Sequence, residues 1–487
     1  MRTKLLTITA ALAAALQFAA CKQGSYAEGS GNNNGPESNI VLKNYSATPA
    51  FVKTMPGFEA VEVYTLISSN DTLPQSTGFV FGGQPDGGGL LKAPDGKGYV
   101  LINNHEVLRS VSRVWLDATF KPVKGEYILD AEGGMWRLCS ATMAKPEEHG
   151  FGPLFITAGE VGPDSRVHAI DPFAPASDRK RTDRVKPALG RASMENALPL
   201  AKDAYAGKTV LLMGEDDANG QVVLYVSNTV GDLANGKLYF MRRTNGDAVE
   251  TNMTLGTTYD VEFVEIDNAA TATGDEIAAQ SITKNAVQFG RVEDLDYRKG
   301  GGANSREVYF AVTGLRNVTG KTMWGRVYQL MMDAANPLKG KLTPVADGAT
   351  NPGNDLINPD NICATENYVY IQEDGDSYYP GANHESYIWQ YTIATKQYKP
   401  LITTHQRRDD PLFNSVNGYN QTGNNRMGSW EYGAMHDVSK EVGVDGVFLL
   451  NIHAHTWRND KFLNADGTTV TGSREGGQTV ILKGVPR

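Results

Sequence analysis

Short apolar runs of about five to eight residues, rich in Val, Ile, Leu, Thr and Tyr and bounded by Gly, Asn and Asp, recur along most of this chain. Long helical periodicity is nearly absent, so the pattern predicts an all-β fold. The start differs. Arg2 and Lys4 precede a charge-free apolar stretch over 5–20, and Phe18-Ala19-Ala20-Cys21 follows, small residues before a cysteine as in a bacterial lipobox. Cys21 is then the expected lipidation site, with 1–21 as signal peptide. Phe18 departs from the usual Leu, which leaves simple cleavage and secretion as the alternative. Residues 22–40, mostly Gly, Ser, Asn and Glu, have little to bury and read as a flexible tether. The expectation is an exported lipoprotein of a Gram-negative bacterium, periplasmic or on the outer membrane or cell surface. It meets the membrane only through that lipid, and residues 41–487 form a single folded domain.

Self-comparison reveals a weak repeat: a ligand-type residue, an apolar stretch, a polar turn, an apolar strand, and a second ligand-type residue. Its six copies begin near Gly88, Cys139, Glu195, Glu293, Asp360 and Glu431. Their strands end near Glu106, Glu160, Glu215 and Asp216, Thr313, Asp374, and His453 with His455. Six copies predict a six-bladed β-propeller. The copies lie further apart than a minimal blade of about 40 to 50 residues, so insertions such as 161–190 and 315–357 are expected. Strand ends equivalent in this way converge on a central channel. A closed propeller with protected edges is expected to be a monomer.

The 55 Asp and Glu exceed the 46 Lys and Arg only mildly, without blocks of like charge, and nucleic acid is not an expected partner. The converging residues matter more. Many carboxylates around one axis raise one another's pKa values and repel unless cations sit among them. Oxygen donors suit calcium, and a thiolate beside them suits a transition metal such as iron. Cys139 with Cys363 form either a disulfide or two separate thiols. His105, His453 and His455 are metal ligands, phosphate donors or structural histidines. No Gly-x-Ser-x-Gly elbow, Gly-x-x-x-x-Gly-Lys loop or His-Glu-x-x-His helix occurs.

Leu138-Cys139-Ser140-Ala141-Thr142, Ala158-Gly159-Glu160, Asn104-His105-Glu106 and Gly190-Arg191-Ala192-Ser193-Met194-Glu195 resemble successive stations of the PhoX-type alkaline phosphatases. Gly214-Glu215-Asp216-Asp217, Arg291-Val292-Glu293-Asp294, Pro359-Asp360-Asn361 and the His453-Ala454-His455 strand continue the resemblance in order, from about residue 78 to 457. It implies a propeller phosphomonoesterase with calcium and iron cofactors and a small phosphorylated substrate. Cys139 is then an iron ligand, and Glu160, Glu195 and Glu293 are carboxylate ligands. Glu106, Glu215, Asp216, Asp360 and Glu431 are further metal candidates. Arg291 faces the phosphate beside Glu293 as the catalytic pair. Met194 stands where the family has His, and Met143-Ala144 interrupts its Pro-Trp-Gly-Thr element, so the pocket differs in shape. Three alternatives stay open: a calcium-only hydrolase of phytase or lactonase kind, a calcium-stabilised binding propeller without catalysis, and a glycan binder using Trp115, Trp136, Trp324 or Trp389.

Overall fold

β-Branched and aromatic runs form 25 strands among the described residues, 39–375, 382–406 and 430–487 of a computed structural model. The leader with Cys21 and nearly all of the tether 22–40 lie outside them. The first strands are β1 (Val52–Thr54) and β2 (Glu62–Ser68). A four-stranded meander follows: β3 (Pro85–Lys92), β4 (Tyr99–His105), β5 (Ser110–Leu116) and β6 (Pro122–Leu129). A three-stranded one comes next, with β7 (Leu138–Ala144), β8 (Leu154–Gly159) and β9 (His168–Ile170). The chain continues through β10 (Met194–Pro199), β11 (Thr209–Glu215), β12 (Val222–Ser227), β13 (Lys237–Arg243) and β14 (Tyr259–Glu265). After a ten-residue helix, α1 (Gly274–Thr283), come β15 (Val292–Tyr297), β16 (Glu307–Val312), β17 (Arg326–Met332) and β18 (Lys339–Asp347). The last two groups are β19 (Pro359–Ala364), β20 (Tyr368–Glu373), β21 (Tyr387–Thr392) and β22 (Gln397–Thr404), then β23 (Glu431–Asp437), β24 (Val447–Arg458) and β25 (Glu475–Lys483).

All strand pairings are antiparallel, and the sheets have a propeller-like arrangement. Hydrogen bonding defines five sheets where six were expected: β10–β14 and β15–β18 are two meanders whose outer strands β14 and β18 pair, making one nine-stranded sheet. The first strand of each meander packs on the next in a closed circuit, β3 on β7, then β10, β15, β19, β23 and back to β3. The core lies in layers between neighbouring meanders; in one of them Phe310 stacks on its cross-strand partner Tyr328 with ring centroids 5.0 Å apart, and Phe289 meets both rings edge-on.

The N-terminal strands close the circuit by joining the last two sheets. β2 pairs with β25, and β1 pairs with β22, so the chain ends are tied together without covalent help. Phe51, fully buried just before β1, wedges its ring edge-on against Trp430 and Trp457 at 4.9 and 5.0 Å. Its backbone N–H donates to Gln478 Oε1, 2.9 Å away. Truncating Phe51 to Ala removes this wedge, and urea unfolding should show a loss of about 3–5 kcal/mol. A loss below about 1 kcal/mol would mean that backbone pairing alone closes the circuit.

Candidate functional site

Each of the six inner strands breaks register against its neighbour at the same place. Between two paired positions, two residues of the inner strand oppose one residue of the next strand, the signature of a β-bulge. The bulged pairs are Asp86-Gly87, Cys139-Ser140, Glu195-Asn196, Glu293-Asp294, Asp360-Asn361 and Gly433-Ala434. A bulge re-aims side chains, and the first member of the first five pairs points into one central cavity of about 520 Å³. Asn196, Asp294 and Ala434 line a second, smaller cavity further along the axis.

Just before each bulge lies a cross-strand pair two residues from the bulged position, on the same face by the two-residue period of a strand. These pairs are Gln84 with Glu106, Arg137 with Glu160, Ser193 with Asp216, Arg291 with Thr313, and Asn358 with Asp374. In each, the backbone N–H of the second residue donates to the carbonyl of the first, at 2.8–3.1 Å. Glu431 with His453 completes the ring as a paired position of β23 and β24. Two tiers around the axis therefore supply the site, and Arg137 and Arg291 occupy equivalent positions in it.

Nine carboxylates line the cavity (Asp86, Glu106, Glu160, Glu195, Glu293, Asp360, Asp374, Glu431 and Glu475), against three guanidinium groups, Arg137, Arg291 and Arg458. Burial, then mutual repulsion, pushes Asp86, Glu293 and Asp360 well above the ordinary carboxylate range, and Glu195 up to about 8. Burial also raises Glu160 and the Cys139 thiol, whose Sγ lies 2.7 Å from Glu160 Oε2. Three carboxylates behave oppositely, among them Glu475, which His455 and Arg458 hold below the ordinary range against its burial. Burial works against Asp216, yet Arg291 holds it below the ordinary range through Nε–Oδ1 and Nη2–Oδ2 contacts of 2.6 and 3.1 Å. Burial likewise works against Glu431, but the neighbouring His455 keeps it well below. Arg291 also reaches Glu293 at 3.1 Å, and its backbone sits at φ +69°, a left-handed conformation uncommon outside glycine.

Four sets of donor atoms lie close enough to share a cation, each within 4.8 Å of one another: Asp86, Glu106 and Cys139; Cys139, Glu160 and Glu195; Asp360, Asp374 and Glu431; and Glu431, His453 and His455. The first two share Cys139 and the last two share Glu431. Carboxylates that hold one another protonated when alone are a donor set completed by cations. The residues present thus fit a multinuclear metal centre with one thiolate.

Ten of the expected residues line the cavity: Arg291, Glu293, Cys139, Glu160, Glu195, Glu106, Asp360, Glu431, His453 and His455. Asp216 stands behind Arg291. Two expectations are corrected, both by strand alternation. His105 and Glu215 each precede a site residue by one position and so face away from the axis. His105 packs between Phe81 and Tyr127 with Nε2 2.7 Å from Ser112 Oγ, and Glu215 lines a separate cavity beside Asp217 and Asp275. Cys139 and Cys363 are free thiols and not a disulfide; Cys363 lines the smaller axial cavity. Trp115, Trp136, Trp324 and Trp389 do not line the central cavity. Asp374, marked in the sequence only as the end of the fifth repeat strand, also lines the cavity, and Asp86, Arg137, Gln84 and Glu475 join it without having been marked at all. Pro85-Asp86-Gly87 repeats the Pro359-Asp360-Asn361 element, which is the signal that would have found Asp86.

Fold and site together define an all-β, propeller-like protein with an acidic, metal-competent axial cavity. No family profile and no curated protein sequence matches the chain. Among solved structures it is similar to PhoX of Pseudomonas fluorescens in complex with vanadate, a transition-state analogue, with TM-score 0.60 and 13% identity over 91% of this chain and 98% of that one. The shared fold is thus the PhoX-type fold. Two weaker likenesses carry no argument: an α-L-arabinofuranosidase of Fusarium graminearum (TM-score 0.34, 11% identity, 86% and 97% covered) and a puromycin-hydrolysing peptidase of Mycobacterium tuberculosis (TM-score 0.30, 10% identity, 68% and 45% covered).

The raised carboxylates set a direction for stability. A carboxylate whose folded pKa exceeds its unfolded value stabilises the fold fully below the unfolded value, about 4.5, and this contribution is lost as pH rises through the folded value. For Glu195 that window runs up to about 8. In chelator the melting temperature should fall from pH 5 to pH 8.5, less steeply in Glu195→Gln, and added calcium should offset the fall. A melting temperature that climbs over this range would contradict the mutual repulsion described.

Proposed function

We propose that this protein is a metal-dependent phosphomonoester hydrolase of the PhoX type. The observation that carries the reading is the ring of bulges, which aims one thiol and four carboxylates at a cavity where Arg291 is fixed in place by Asp216 and Glu293. The reading counts six blades, taking the nine-stranded sheet as two joined at their outer edges, within a single domain over 41–487. It includes export, with Cys21 lipidated, and a monomeric state.

Cys139, with Asp86, Glu106, Glu160 and Glu195, is the set a transition metal such as iron would take, since a thiolate is a poor donor to hard cations. Asp360, Asp374, Glu293 and Glu431 offer oxygen only and suit calcium. When bound, such cations neutralise phosphate charge and supply Lewis acidity at the phosphoryl oxygens. Arg291 contributes a planar fork whose charge is permanent and whose orientation Asp216 sets, so it binds phosphoryl oxygens without having to reorganise. The small phosphorylated substrate would enter phosphate first, because the cavity is lined by Arg137, Arg291 and Arg458 and by residues that would hold cations, and it lies among buried strands.

The test is hydrolysis of p-nitrophenyl phosphate alongside elemental analysis, before and after chelation. Calcium together with iron and cation-dependent turnover supports the reading; calcium without turnover leaves a metal-stabilised binding protein and overturns it. Arg291→Lys keeps charge but loses the fork, and kcat/KM should drop by about 10²–10³-fold. Cys139→Ser should remove iron and activity together. Full activity in that variant would favour the calcium-only hydrolase.

A further inference from the structure

We infer that the cavity also holds a nitrogen-bearing site for a divalent transition metal, formed by His453 Nδ1, His455 Nε2 and Glu431, chemically separate from the thiolate group around Cys139. His453 and His455 are two residues apart on β24 and so project from one face of the strand into the cavity. Their donor atoms and a Glu431 oxygen lie within 4.8 Å of one another.

The tautomer of His453 is dictated by its neighbour. Nε2 lies 3.2 Å from the Pro85 carbonyl oxygen, which only accepts, so Nε2 carries the hydrogen and a neutral ring turns its Nδ1 lone pair to the cavity. That lone pair faces Glu431 Oε1 at 2.7 Å and Glu106 Oε2 at 3.8 Å. The same Glu431 oxygen lies 3.0 Å from His455 Nε2. Lone pairs this close repel unless a proton or a cation lies among them, and a metal ion would satisfy all three donors at once. Behind His455, Nδ1 meets Glu475 Oε2 at 3.5 Å and Gln84 Nε2 at 3.0 Å; Gln84 Nε2 also donates to Glu475 Oε2 at 2.8 Å. Arg458 holds the other Glu475 oxygen. For His455 Nε2 to ligate, Nδ1 must carry the hydrogen and turn it to Glu475, with Gln84 donating to Glu475 and not to the ring; a carboxylate so placed orients the imidazole and raises its basicity.

The sixth station has also made room for these rings. Five bulges present a ligand-type side chain, whereas the sixth presents Gly433, where a Cβ would lie 2.4 Å from Pro85 O and 2.9 Å from His453 Nε2. The imidazole and the Pro85-Asp86 backbone together thus take the space that a bulge side chain fills elsewhere. Two nitrogens and one carboxylate favour zinc, iron(II) or manganese over calcium. Glu431, shared with the Asp360 and Asp374 oxygens, bridges this site to the oxygen-only one.

The competing account places protons on both rings, which then clamp Glu431 as imidazolium ions. Cobalt(II) alone, titrated into chelator-stripped full-length protein, separates the two through bound-metal analysis and absorption spectra, with no turnover read. Cys139→Ser should lose the thiolate-to-cobalt charge-transfer band. The double variant His453→Gln/His455→Gln should keep that band yet bind one cobalt fewer per chain. Unchanged cobalt stoichiometry in the double variant would overturn the inference, as would loss of the thiolate band with the fold intact. His455→Gln alone, at the more accessible ring, serves if the double variant fails to fold. It should weaken this one cobalt position by at least about 10-fold, and unchanged affinity there would likewise overturn the inference.

Discussion

Everything at the centre of this molecule depends on one backbone irregularity made six times. A regular inner strand would send successive side chains to opposite faces of its sheet, into the layers between neighbours. Two residues opposing one at the bulge break that alternation and turn side chains along the axis instead. Because the break comes at the same height in every sheet, residues 86, 139, 195, 293 and 360 meet in one cavity, though they span most of the sequence. The cross-strand pairs two residues earlier inherit the same face and form the second tier.

Such convergence works against stability, and the surrounding structure offsets it by tying sheet to sheet. Ser140 donates its backbone N–H to Glu195 Oε1 at 3.1 Å, and its hydroxyl meets Asn361 Oδ1 across the axis at 2.8 Å. Thr313 Oγ lies within 2.7 Å of Glu293 Oε1 and 2.8 Å of the Pro359 carbonyl. Asn451, the single residue opposing the sixth bulge, donates to the Asp86 carbonyl at 2.7 Å. Apart from the Thr313–Glu293 contact within one sheet, these ties join adjacent or facing sheets through residues at or beside a bulge. These ties hold the bulged residues in register with one another, and bound cations would relieve the repulsion that remains among their carboxylates.

Much of this was legible in sequence because strands announce themselves through composition and because Glu, Cys and His are poor turn formers. Their recurrence at one phase marked Cys139, Glu160, Glu195, Glu293 and Glu431 before any geometry was known, and Asp360 shared that phase. The errors lie where one residue decides a face. His105-Glu106 and Glu215-Asp216 are adjacent ligand types, and only the pairing of His105 with Pro85 and of Glu215 with Met194 shows which member turns inward. Asp86 escaped because three glycines follow it and the copy was read from Gly88. Arg137 looked like an ordinary basic residue until its equivalence to Arg291 emerged from the register. The joining of β14 to β18 was likewise invisible, since strand pairing between meanders leaves no periodic trace.

A frame of this kind specifies where a side chain goes and leaves open what it is. The bulge positions carry Asp, Cys, Glu, Glu, Asp and Gly, and the paired positions mix carboxylates with Gln, Arg, Ser, Thr, Asn and His, all at equivalent points of the backbone. Chemistry can thus be redistributed around the axis one station at a time: a thiol at the second, arginines at the second and fourth, imidazoles at the sixth. This independence accounts for how the PhoX-type fold persists at 13% identity, because burial and pairing constrain the sheets far more tightly than any single donor. It also means that the fold cannot by itself specify the metal inventory. That depends on which donor stands at each station, and the packing of His453 beside Gly433 is the point where this chain's donor set turns from oxygen and sulfur to nitrogen.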